Sequence, residues 1–444
     1  MLRFGTDGVR GIALTELTTD YVEALGVAAA RVLGGGRWLI GRDTRESGPA
    51  LQDALARGLV AGGAEPADCG VLPTPALAHC SARAHVPAAM ITASHNPYTD
   101  NGVKIFAPGG LKLSDDVESQ IEAQLEAELR ARAVAVRAPE PGSSVDVGRA
   151  DATAEYVEHI VAMFAPDLLT GLRVVLDCAN GAMSEAAPQA VRALGADVTV
   201  INAAPNGTNI NAACGATHPA ALSVAVLAEG ADAGLAFDGD GDRVIAIDNT
   251  GAVVDGDRLI ALGALQLRAE GALTDNAVVV TVMSNLGFHH AMREAGIDVI
   301  TTAVGDRYVL EALDAGGYAI GGEQSGHVIY RHVATTGDGL LAGLKLLQRV
   351  QASGATLAEL AGGVMTTYPQ VLVNVRVADR HPGIADDLAD EIAAAQDELG
   401  DDGRVLLRPS GTEPLVRVMV EAASDEHAQA LAAQLADVVR TRYA

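Results

Sequence analysis

An apolar run, Trp38-Leu39-Ile40-Gly41-Arg42-Asp43, opens a stretch that continues through an alanine-rich segment and closes at Ala61-Gly62-Gly63-Ala64-Glu65. The run has the composition of a buried strand, and the segment after it is typical of a helix. Glycine directly after such a helix favours a C-terminal cap, because glycine adopts positive φ without steric cost. The stretch therefore predicts a strand, a polar loop and a helix, followed by a return to the sheet.

The same order occurs twice more along the chain. The second copy runs from Val174-Val175-Leu176-Asp177-Cys178 to Ala193-Leu194-Gly195-Ala196-Asp197. The third copy runs from Val278-Val279-Val280-Thr281-Val282-Met283 to Glu294-Ala295-Gly296-Ile297-Asp298. Three such units at roughly even spacing predict three related α/β domains with mixed or parallel sheets.

After about Val364 the pattern changes to that of a smaller α+β domain. Val371 to Val377 alternates as a strand does, and Ile384 to Leu399 has the spacing of an amphipathic helix. Further strands and a last helix are predicted at Val405 to Leu407, Leu415 to Val420 and His427 to Val439.

A chain of 444 residues is too long for one compact core, so several domains are expected. The predicted fold is α/β, with three related α/β domains that contain mixed sheets and a smaller α+β C-terminal domain. We expect these four domains to surround a central cleft, since enzyme pockets commonly lie where domains meet. The predicted domains are 1–150, 151–252, 253–365 and 366–444.

A serine loop, Thr92-Ala93-Ser94-His95-Asn96-Pro97, follows the apolar run from Val86 to Ile91 and precedes Lys104. A hydroxyl at a strand end, beside an imidazole and near an amine, can serve as a covalent phosphoryl carrier. Serine and histidine in a turn more often act as caps and hydrogen-bonding groups. The motif alone therefore leaves both interpretations open.

An acidic loop, Asp238-Gly239-Asp240-Gly241-Asp242-Arg243, lies between two apolar strand patterns. Its alternating carboxylates supply the hard oxygen ligands that a divalent cation needs. A tight hairpin turn is the alternative, because Asp-Gly pairs mark turns between strands. An EF-hand calcium loop fits less well, since the twelfth position holds Asn249 rather than Glu. Magnesium together with a phosphate group is the better fit.

Two further motifs contain groups that suit a sugar phosphate. Arg408-Pro409-Ser410-Gly411-Thr412-Glu413-Pro414, with Arg417 on the next strand pattern, offers guanidinium and hydroxyl donors to a phosphate that does not react. A capped surface turn is the alternative there. Gly322-Glu323-Gln324-Ser325-Gly326-His327 offers polar groups for vicinal hydroxyls and an imidazole able to move a proton.

Together these four motifs, in this order, resemble the alpha-D-phosphohexomutase superfamily over essentially the whole chain. The opening Phe4-Gly5-Thr6-Asp7-Gly8-Val9-Arg10-Gly11, the segment Asn206-Gly207-Thr208-Asn209-Ile210-Asn211 and its continuation to Pro219 are similar to the branch that acts on glucosamine phosphates. Gln324 in the sugar motif points to the same branch. The nearer alternative is a phosphoglucomutase or phosphomannomutase, and the more distant one is a non-catalytic magnesium or phosphosugar sensor.

The resemblance implies that Ser94 exchanges a phosphoryl group with the sugar, so that glucosamine 6-phosphate and glucosamine 1-phosphate interconvert. It implies Mg²⁺ as cofactor and glucosamine 1,6-bisphosphate, or a similar hexose bisphosphate, as intermediate and activator. The implied metal ligands are Ser94, Asp238, Asp240 and Asp242. The implied catalytic residues are Ser94, Lys104, Arg243 and His327. The implied substrate-binding residues are Arg10, Arg307, Glu323 and Ser325, although Arg307 could equally pair with a carboxylate. The implied phosphate-binding residues are Arg408, Ser410, Gly411, Thr412 and Arg417.

The formal net charge of −26 argues against nucleic acid and anionic membranes as partners. We expect a small phosphosugar as the partner and, from the resemblance, a possible homodimer. The chain enters its first motif within four residues, and no apolar run is long enough to span a bilayer. A cytoplasmic protein is therefore expected.

Overall fold

In a computed structural model of the protein, the described residues are 2–5, 7–134, 148–409 and 414–443. The chain divides into two compact units. The first consists of Met1–Met283 and Asp298–Gly362, and the second of Ser284–Ile297 and Gly363–Ala444.

The N-terminal part of the first unit is built on a mixed sheet. Its strands are β1 (Val9–Ile12), β2 (Gly36–Arg42), β3 (Ala64–Val71), β4 (Ala88–Ile91), β5 (Asp100–Ala107), β6 (Leu111–Lys112) and β7 (Gly148–Arg149). Its helices are α1 (Thr19–Leu33), α2 (Gly48–Ala61), α3 (Thr74–Ala84) and α4 (Asp115–Val134). The strand order is β1-β5-β4-β2-β3-β7, with β6 beside β5. Because β4 pairs parallel with β2 but antiparallel with β5, the chain reverses between β4 and β5.

A second mixed sheet follows, in the order β12-β11-β10-β8-β9. Its strands are β8 (Arg173–Asp177), β9 (Asp197–Ile201), β10 (Ala233–Phe237), β11 (Val244–Asp248) and β12 (Val253–Val254). Its helices are α5 (Ala152–Ala162), α6 (Met183–Ala193) and α7 (Ala220–Glu229). Strands β10 and β11 are antiparallel neighbours, so the segment between them is a hairpin connection at the sheet end.

A third mixed sheet has the order β14-β13-β15-β16. Its strands are β13 (Ala277–Thr281), β14 (Asp298–Thr302), β15 (Ile320–Gly322) and β16 (Val328–Tyr330). The helices of this part of the chain are α8 (Gly256–Ala269), α9 (Leu286–Glu294), α10 (Asp306–Gly316), α11 (Gly339–Ser353) and α12 (Leu357–Val364), with a 3₁₀ turn at Thr274–Asn276. Helix α9 belongs to the second unit, although it connects β13 to β14 along the chain.

The second unit contains an antiparallel sheet in the order β17-β19-β18. Its strands are β17 (Gln370–Arg376), β18 (Arg404–Pro409) and β19 (Leu415–Glu421). Its other helices are α13 (Ile384–Asp387), α14 (Ala389–Leu399) and α15 (Asp425–Tyr443), with a 3₁₀ turn at Gly400–Asp402. The single helix predicted from Ile384 to Leu399 is broken at Leu388, where ψ is 21°. Leu388 is fully buried in the core of this unit, so tertiary packing rather than the helical repeat determines its conformation.

Helix α9 is attached to this second unit through Glu421, which is fully buried on β19. The Glu421 carboxylate accepts hydrogen bonds from the Leu286 backbone N–H at 3.0 Å and from Asn285 Nδ2 at 3.2 Å. Arg404 Nε donates to the same carboxylate at 2.6 Å. The start of α9 therefore shares a buried charged network with the C-terminal sheet.

The glycine caps predicted after three helices are confirmed, because Gly63, Gly195 and Gly296 have φ of 93°, 94° and 68°. The α/β fold class with mixed sheets and a smaller α+β part is likewise confirmed. The boundaries at residues 150, 252 and 365 stay a prediction. Among the described residues, none of the helices combines the length and apolar character needed to cross a membrane.

Candidate active site

Ser94 lies in the turn between β4 and β5 and is almost completely buried. Its φ is 51°, in the left-handed region that serine seldom adopts. The Ser94 hydroxyl donates a hydrogen bond to Asp238 Oδ2 at 2.6 Å, and His95 Nδ1 lies 3.4 Å from Ser94 Oγ. An unusual backbone conformation therefore directs the hydroxyl at the acidic loop.

The acidic loop connects β10 to β11 and places three buried carboxylates together. Oxygen atoms of Asp238, Asp240 and Asp242 lie within 4.8 Å of one another. The Thr74 hydroxyl, at the start of α3, donates to Asp240 Oδ2 at 2.7 Å, and the Thr74 N–H donates to the Asp240 carbonyl at 2.8 Å. These contacts attach the loop to the first sheet and its helices.

The carboxylates have the properties of a cation site. Asp240 Oδ1 and Asp242 Oδ1 are buried and have no hydrogen-bond partner among the described residues. Burial, together with the charges of Asp242 and Asp240, raises the pKa of Asp238 well above its usual value. A divalent cation would supply the missing partner for these oxygens and offset their mutual repulsion. The residues present therefore fit Mg²⁺.

Lys104, on β5, enters the same cluster from the first sheet. Its Nζ lies 2.8 Å from Asp240 Oδ2, 2.9 Å from Asp242 Oδ2 and 2.8 Å from Asp7 Oδ2. Burial opposes the charged form, but these three carboxylates raise the pKa of Lys104 well above its usual value. In this arrangement Lys104 is an ammonium group that can donate a proton or stabilise negative charge.

His327, in the turn that leads into β16, is buried against the acidic loop. Its Nδ1 lies 3.7 Å from Asp242 Oδ1, and its Nε2 lies 3.7 Å from Asp306 Oδ2. Burial lowers the pKa of His327, but Asp242, followed by Asp306 and Glu323, raises it above its usual value. The Gly337 N–H donates to Nε2 at 3.2 Å, which requires a free lone pair there. These opposing influences suit a group that both takes and gives a proton.

Two arginines lie around His95. Burial, followed by the charges of Arg243 and Arg10, lowers the pKa of His95 to about 4, so this imidazole is neutral beside Ser94. Arg243 Nε lies 3.8 Å from Asp242 Oδ1 and has no hydrogen-bond partner among the described residues. Arg10 Nη2 donates to Asp7 Oδ2 at 2.7 Å. Arg243 Nε can thus donate a hydrogen bond to an oxygen of a phosphate group.

The sugar motif forms the turn between β15 and β16. Ser325 Oγ donates to Glu323 Oε2 at 3.3 Å, and the Gly305 N–H donates to Glu323 Oε1 at 3.1 Å. Glu323 is partly buried and Ser325 is exposed. The backbone of this turn is attached to the second sheet, because the Val244 N–H donates to the Gly326 carbonyl at 3.0 Å.

The Arg307 guanidinium forms ion pairs with two carboxylates. Its guanidinium pairs with Asp115 and Glu118 in the first turn of α4. The pairing with a carboxylate that the sequence left open is therefore observed. A role of Arg307 in substrate binding stays a prediction.

The C-terminal motif is described only in part. Arg408 on β18 and Arg417 on β19 are paired residues in the antiparallel ladder. Burial, followed by repulsion from the nearby charge of Arg417, lowers the pKa of Arg408. An anion between them would relieve this repulsion. Ser410, Gly411 and Thr412 lie outside the described residues.

Sequence reasoning missed the groups that connect these motifs. Asp7 holds Lys104, and Lys112 Nζ lies 3.1 Å from Asp7 Oδ1 while also pairing with Asp306. Asp7 stands inside the opening motif, so the motif itself was a signal for it. Lys112 and Thr74 carry no such signal, because only the folded chain brings them to the site.

Comparison with known families gives matches along nearly the whole chain. The phosphoglucomutase/phosphomannomutase alpha/beta/alpha domains I, II and III match residues 1–132, 154–251 and 255–368. The C-terminal domain of the same family matches residues 372–438.

Two curated relatives are similar to this chain over nearly its whole length. The phosphoglucosamine mutase of Frankia casuarinae is 53% identical over 456 residues, which cover 99% of this chain and 98% of that protein. The phosphoglucosamine mutase of Mycobacterium tuberculosis is 51% identical over 446 residues, with 99% of each chain covered.

Solved structures share the fold. A phosphoglucomutase/phosphomannomutase family protein from Burkholderia thailandensis has a TM-score of 0.80 at 26% identity and covers 98% of this chain and 97% of its own. The N-acetylphosphoglucosamine mutase of Aspergillus fumigatus, in complex with GlcNAc-6P and magnesium, has a TM-score of 0.69 at 21% identity. The match covers 99% of this chain and 95% of that chain. All four family domains follow one another along the chain, and curated phosphoglucosamine mutases are 51% and 53% identical over nearly its whole length, so the chain belongs to the phosphoglucosamine mutases of the phosphoglucomutase/phosphomannomutase family.

Proposed function

We propose that the protein interconverts glucosamine 6-phosphate and glucosamine 1-phosphate through a phosphorylated Ser94. The observation that carries this proposal is the contact between the Ser94 hydroxyl and Asp238 Oδ2 at 2.6 Å, inside a buried carboxylate triad. A hydroxyl in this position is ready to carry a phosphoryl group, and the adjacent carboxylates are ready to bind a cation. The names of the curated relatives support glucosamine phosphates as the substrates.

The reaction consists of two phosphoryl transfers in opposite directions. In the first, the bond between phosphorus and Ser94 Oγ breaks, a bond forms to the free sugar hydroxyl, and that hydroxyl loses its proton. The bisphosphorylated sugar then turns round. In the second transfer, Ser94 Oγ takes the other phosphoryl group, and the sugar oxygen that is released gains a proton. The protein ends as it began, so the net reaction is an isomerisation.

The groups around the acidic loop would carry out the proton transfers. Lys104 holds its proton firmly, so it serves as a donor or as a fixed positive charge. His327 is the better acceptor, because an imidazole releases its proton at a much lower pH than an ammonium group and can be unprotonated near neutral pH. Arg243, with its open donor beside the loop, would stabilise the charge of the transferred phosphoryl group.

The residues that would hold Mg²⁺ are Ser94, Asp238, Asp240 and Asp242. The cation would neutralise negative charge on the phosphoryl group during its transfer. The magnesium bound to the Aspergillus fumigatus enzyme, and the glucose 1,6-bisphosphate bound to a variant of that enzyme, support the cation and a hexose bisphosphate as intermediate. Glu323 and Ser325 would contact sugar hydroxyls, and Arg408 and Arg417 would bind the phosphate that does not react. A homodimer and a cytoplasmic location stay predictions.

The test is turnover of competing substrates. The purified protein is incubated with Mg²⁺, a trace of glucose 1,6-bisphosphate, and glucosamine, glucose or mannose 6-phosphate, and phosphorus NMR follows the 1-phosphates. We expect glucosamine 1-phosphate to form fastest, and Ser94→Ala to lose nearly all activity. Ser223→Ala is the matched control, because the Ser223 hydroxyl only donates to the Gly251 carbonyl at 2.6 Å, away from the site.

Other outcomes point to other functions. Faster turnover of glucose or mannose 6-phosphate would assign the protein to the neighbouring activities of the family. Binding of a sugar phosphate without turnover, in protein that carries phosphate on Ser94, would favour the sensor.

A further inference from the structure

Arg45 lies in the loop after β2 and is almost completely buried, although it carries a full positive charge. All five N–H groups of its guanidinium are used. They donate to Asp43 Oδ2 and to the backbone carbonyl oxygens of Ser94, Asn96, Pro97 and Asp100. Apart from the shorter contact to Pro97, these distances lie between 2.9 and 3.0 Å.

Four carbonyl groups of one short loop thus point inward at a single side chain. Loop carbonyls more commonly face water or backbone N–H groups. A guanidinium has five donors in a fixed plane, whereas a lysine ammonium has three donors on one atom. The loop from Ser94 to Asp100 is therefore wrapped around Arg45 in a way that no other side chain could reproduce.

A second residue reaches the same loop from the other side. Asn211 Nδ2 donates to the Ser94 carbonyl at 2.9 Å and to the Asn96 carbonyl at 3.1 Å. Asn211 ends the segment from Asn206, which the sequence marks as distinctive without giving it a task. Its own φ is 57°, a conformation that asparagine tolerates better than most residues.

The Ser94 peptide is held at its N–H as well. The Ser94 N–H donates to Thr92 Oγ1 at 2.9 Å, and the Thr92 hydroxyl donates to Asp43 Oδ2 at 2.7 Å. Asp43 in turn binds Arg45, so one buried network holds both polar groups of the Ser94 backbone. Such a network can maintain the left-handed conformation that serine would otherwise leave.

We infer that Arg45 and Asn211 are positioning residues for the nucleophile: they hold the serine loop so that Ser94 Oγ stays at the acidic triad. The inference rests on the proposed phosphoryl transfer at Ser94. Neither side chain contacts the triad carboxylates through its donors, so both act through the backbone of Ser94. Because phosphoryl transfer depends on alignment, a loosened loop slows the chemical steps more than it weakens substrate binding.

The experiment uses Arg45→Lys, which keeps the charge, and Asn211→Gly, which accommodates the left-handed backbone and removes the side chain with its donors. We expect kcat to fall by about 10- to 100-fold, with KM for glucosamine 6-phosphate changed by less than about threefold. Hydrogen exchange at the amides of residues 94–100 should become faster in both variants. Arg57→Lys is the matched control, because Arg57 pairs with Glu23 at 2.9 Å in the same part of the chain.

A rescue experiment separates positioning from general folding. In Arg45→Ala, added guanidinium at millimolar concentration should restore part of kcat, whereas equal sodium chloride should not. If Arg45→Ala does not fold, Asn211→Gly still tests the inference, since it leaves the buried ion pair intact. Unchanged kcat in both Arg45→Lys and Asn211→Gly, or a lower kcat without faster exchange at residues 94–100, would overturn the inference. If wild-type protein turns over no sugar phosphate, the proposed function fails instead, and exchange alone then tests the loop contacts.

Discussion

The three carboxylates of the triad repel one another when no metal is bound. We therefore expect Asp238→Asn to make the metal-free protein more stable while it removes the stabilisation by Mg²⁺. Oxygen atoms of Asp238, Asp240 and Asp242 lie within 4.8 Å of one another. At this distance and an effective dielectric constant of about 20, two carboxylates repel by about 3.5 kcal/mol. Asp238 faces two such partners, and Arg243 and the Ser94 hydroxyl offset part of the repulsion. Asparagine has nearly the same shape: its oxygen can accept from the Arg243 N–H, as Asp238 Oδ1 does at 3.2 Å, and its Nδ2 can donate to Ser94 Oγ.

We therefore expect metal-free Asp238→Asn to be more stable than metal-free wild type, by about 2 kcal/mol once the offsetting contacts are allowed for. The assay is thermal unfolding in EDTA and in Mg²⁺. Mg²⁺ at about 100 times its dissociation constant should stabilise wild type by about 2.7 kcal/mol. It should leave the variant, which is expected to be inactive, almost unaffected.

Asp248→Asn is the control, because Asp248 is a buried aspartate at the end of β11 whose carboxylate accepts hydrogen bonds from Thr250 and Ala252. It is not part of the triad, so this change should neither raise stability in EDTA nor alter the response to Mg²⁺. A metal-free Asp238→Asn protein that unfolds at or below the wild-type temperature would refute the reasoning, since the triad would then not be a self-repelling cation site.

Two further predictions concern buried carboxyl groups outside the triad. Burial raises the pKa of Asp338 to about 6, so its contribution to stability is complete below about pH 4 and is lost as the pH rises to 6. Asp338→Asn, which keeps an acceptor for Tyr156 and Leu341, should be up to about 3 kcal/mol more stable than wild type at pH 8, and urea unfolding should show this advantage shrinking toward pH 5. Glu421→Gln leaves the Arg404 guanidinium without its charged partner and should destabilise the C-terminal sheet by about 3 kcal/mol. Hydrogen exchange at β17 to β19 measures this loss, and unchanged protection there would contradict it.

The candidate site could be predicted from the sequence where its chemistry is local. The three aspartates of the acidic loop stand within five residues, and the hydroxyl of Ser94 stands directly after a buried strand. Residues that are close in sequence lie in the same turn, so their spacing along the chain is enough to predict that they lie together. The resemblance to a family then assigned reaction and substrate, which spacing alone left open.

The sequence could not predict which groups from distant parts of the chain meet at the site. Lys104 was expected to be a proton-transfer group, but its three carboxylate partners depend on the packing of the first sheet against the acidic loop. Arg307 was expected either to bind substrate or to pair with a carboxylate, and the structure shows its pairing with Asp115 and Glu118 of α4. Residues separated by about a hundred positions or more leave no periodic signal of their contact.

By itself the sequence determined the repeated strand and helix order, the glycine caps and the identity of the four motifs. These follow from steric preferences and hydrophobic spacing that act over one or two turns of chain. Only the tertiary structure decided that Arg45 and Asn211 hold the Ser94 backbone, that helix α9 belongs to the C-terminal unit, and that Asp7 binds Lys104. Those contacts depend on hydrogen-bond geometry between separate elements, which exists only once the elements have packed.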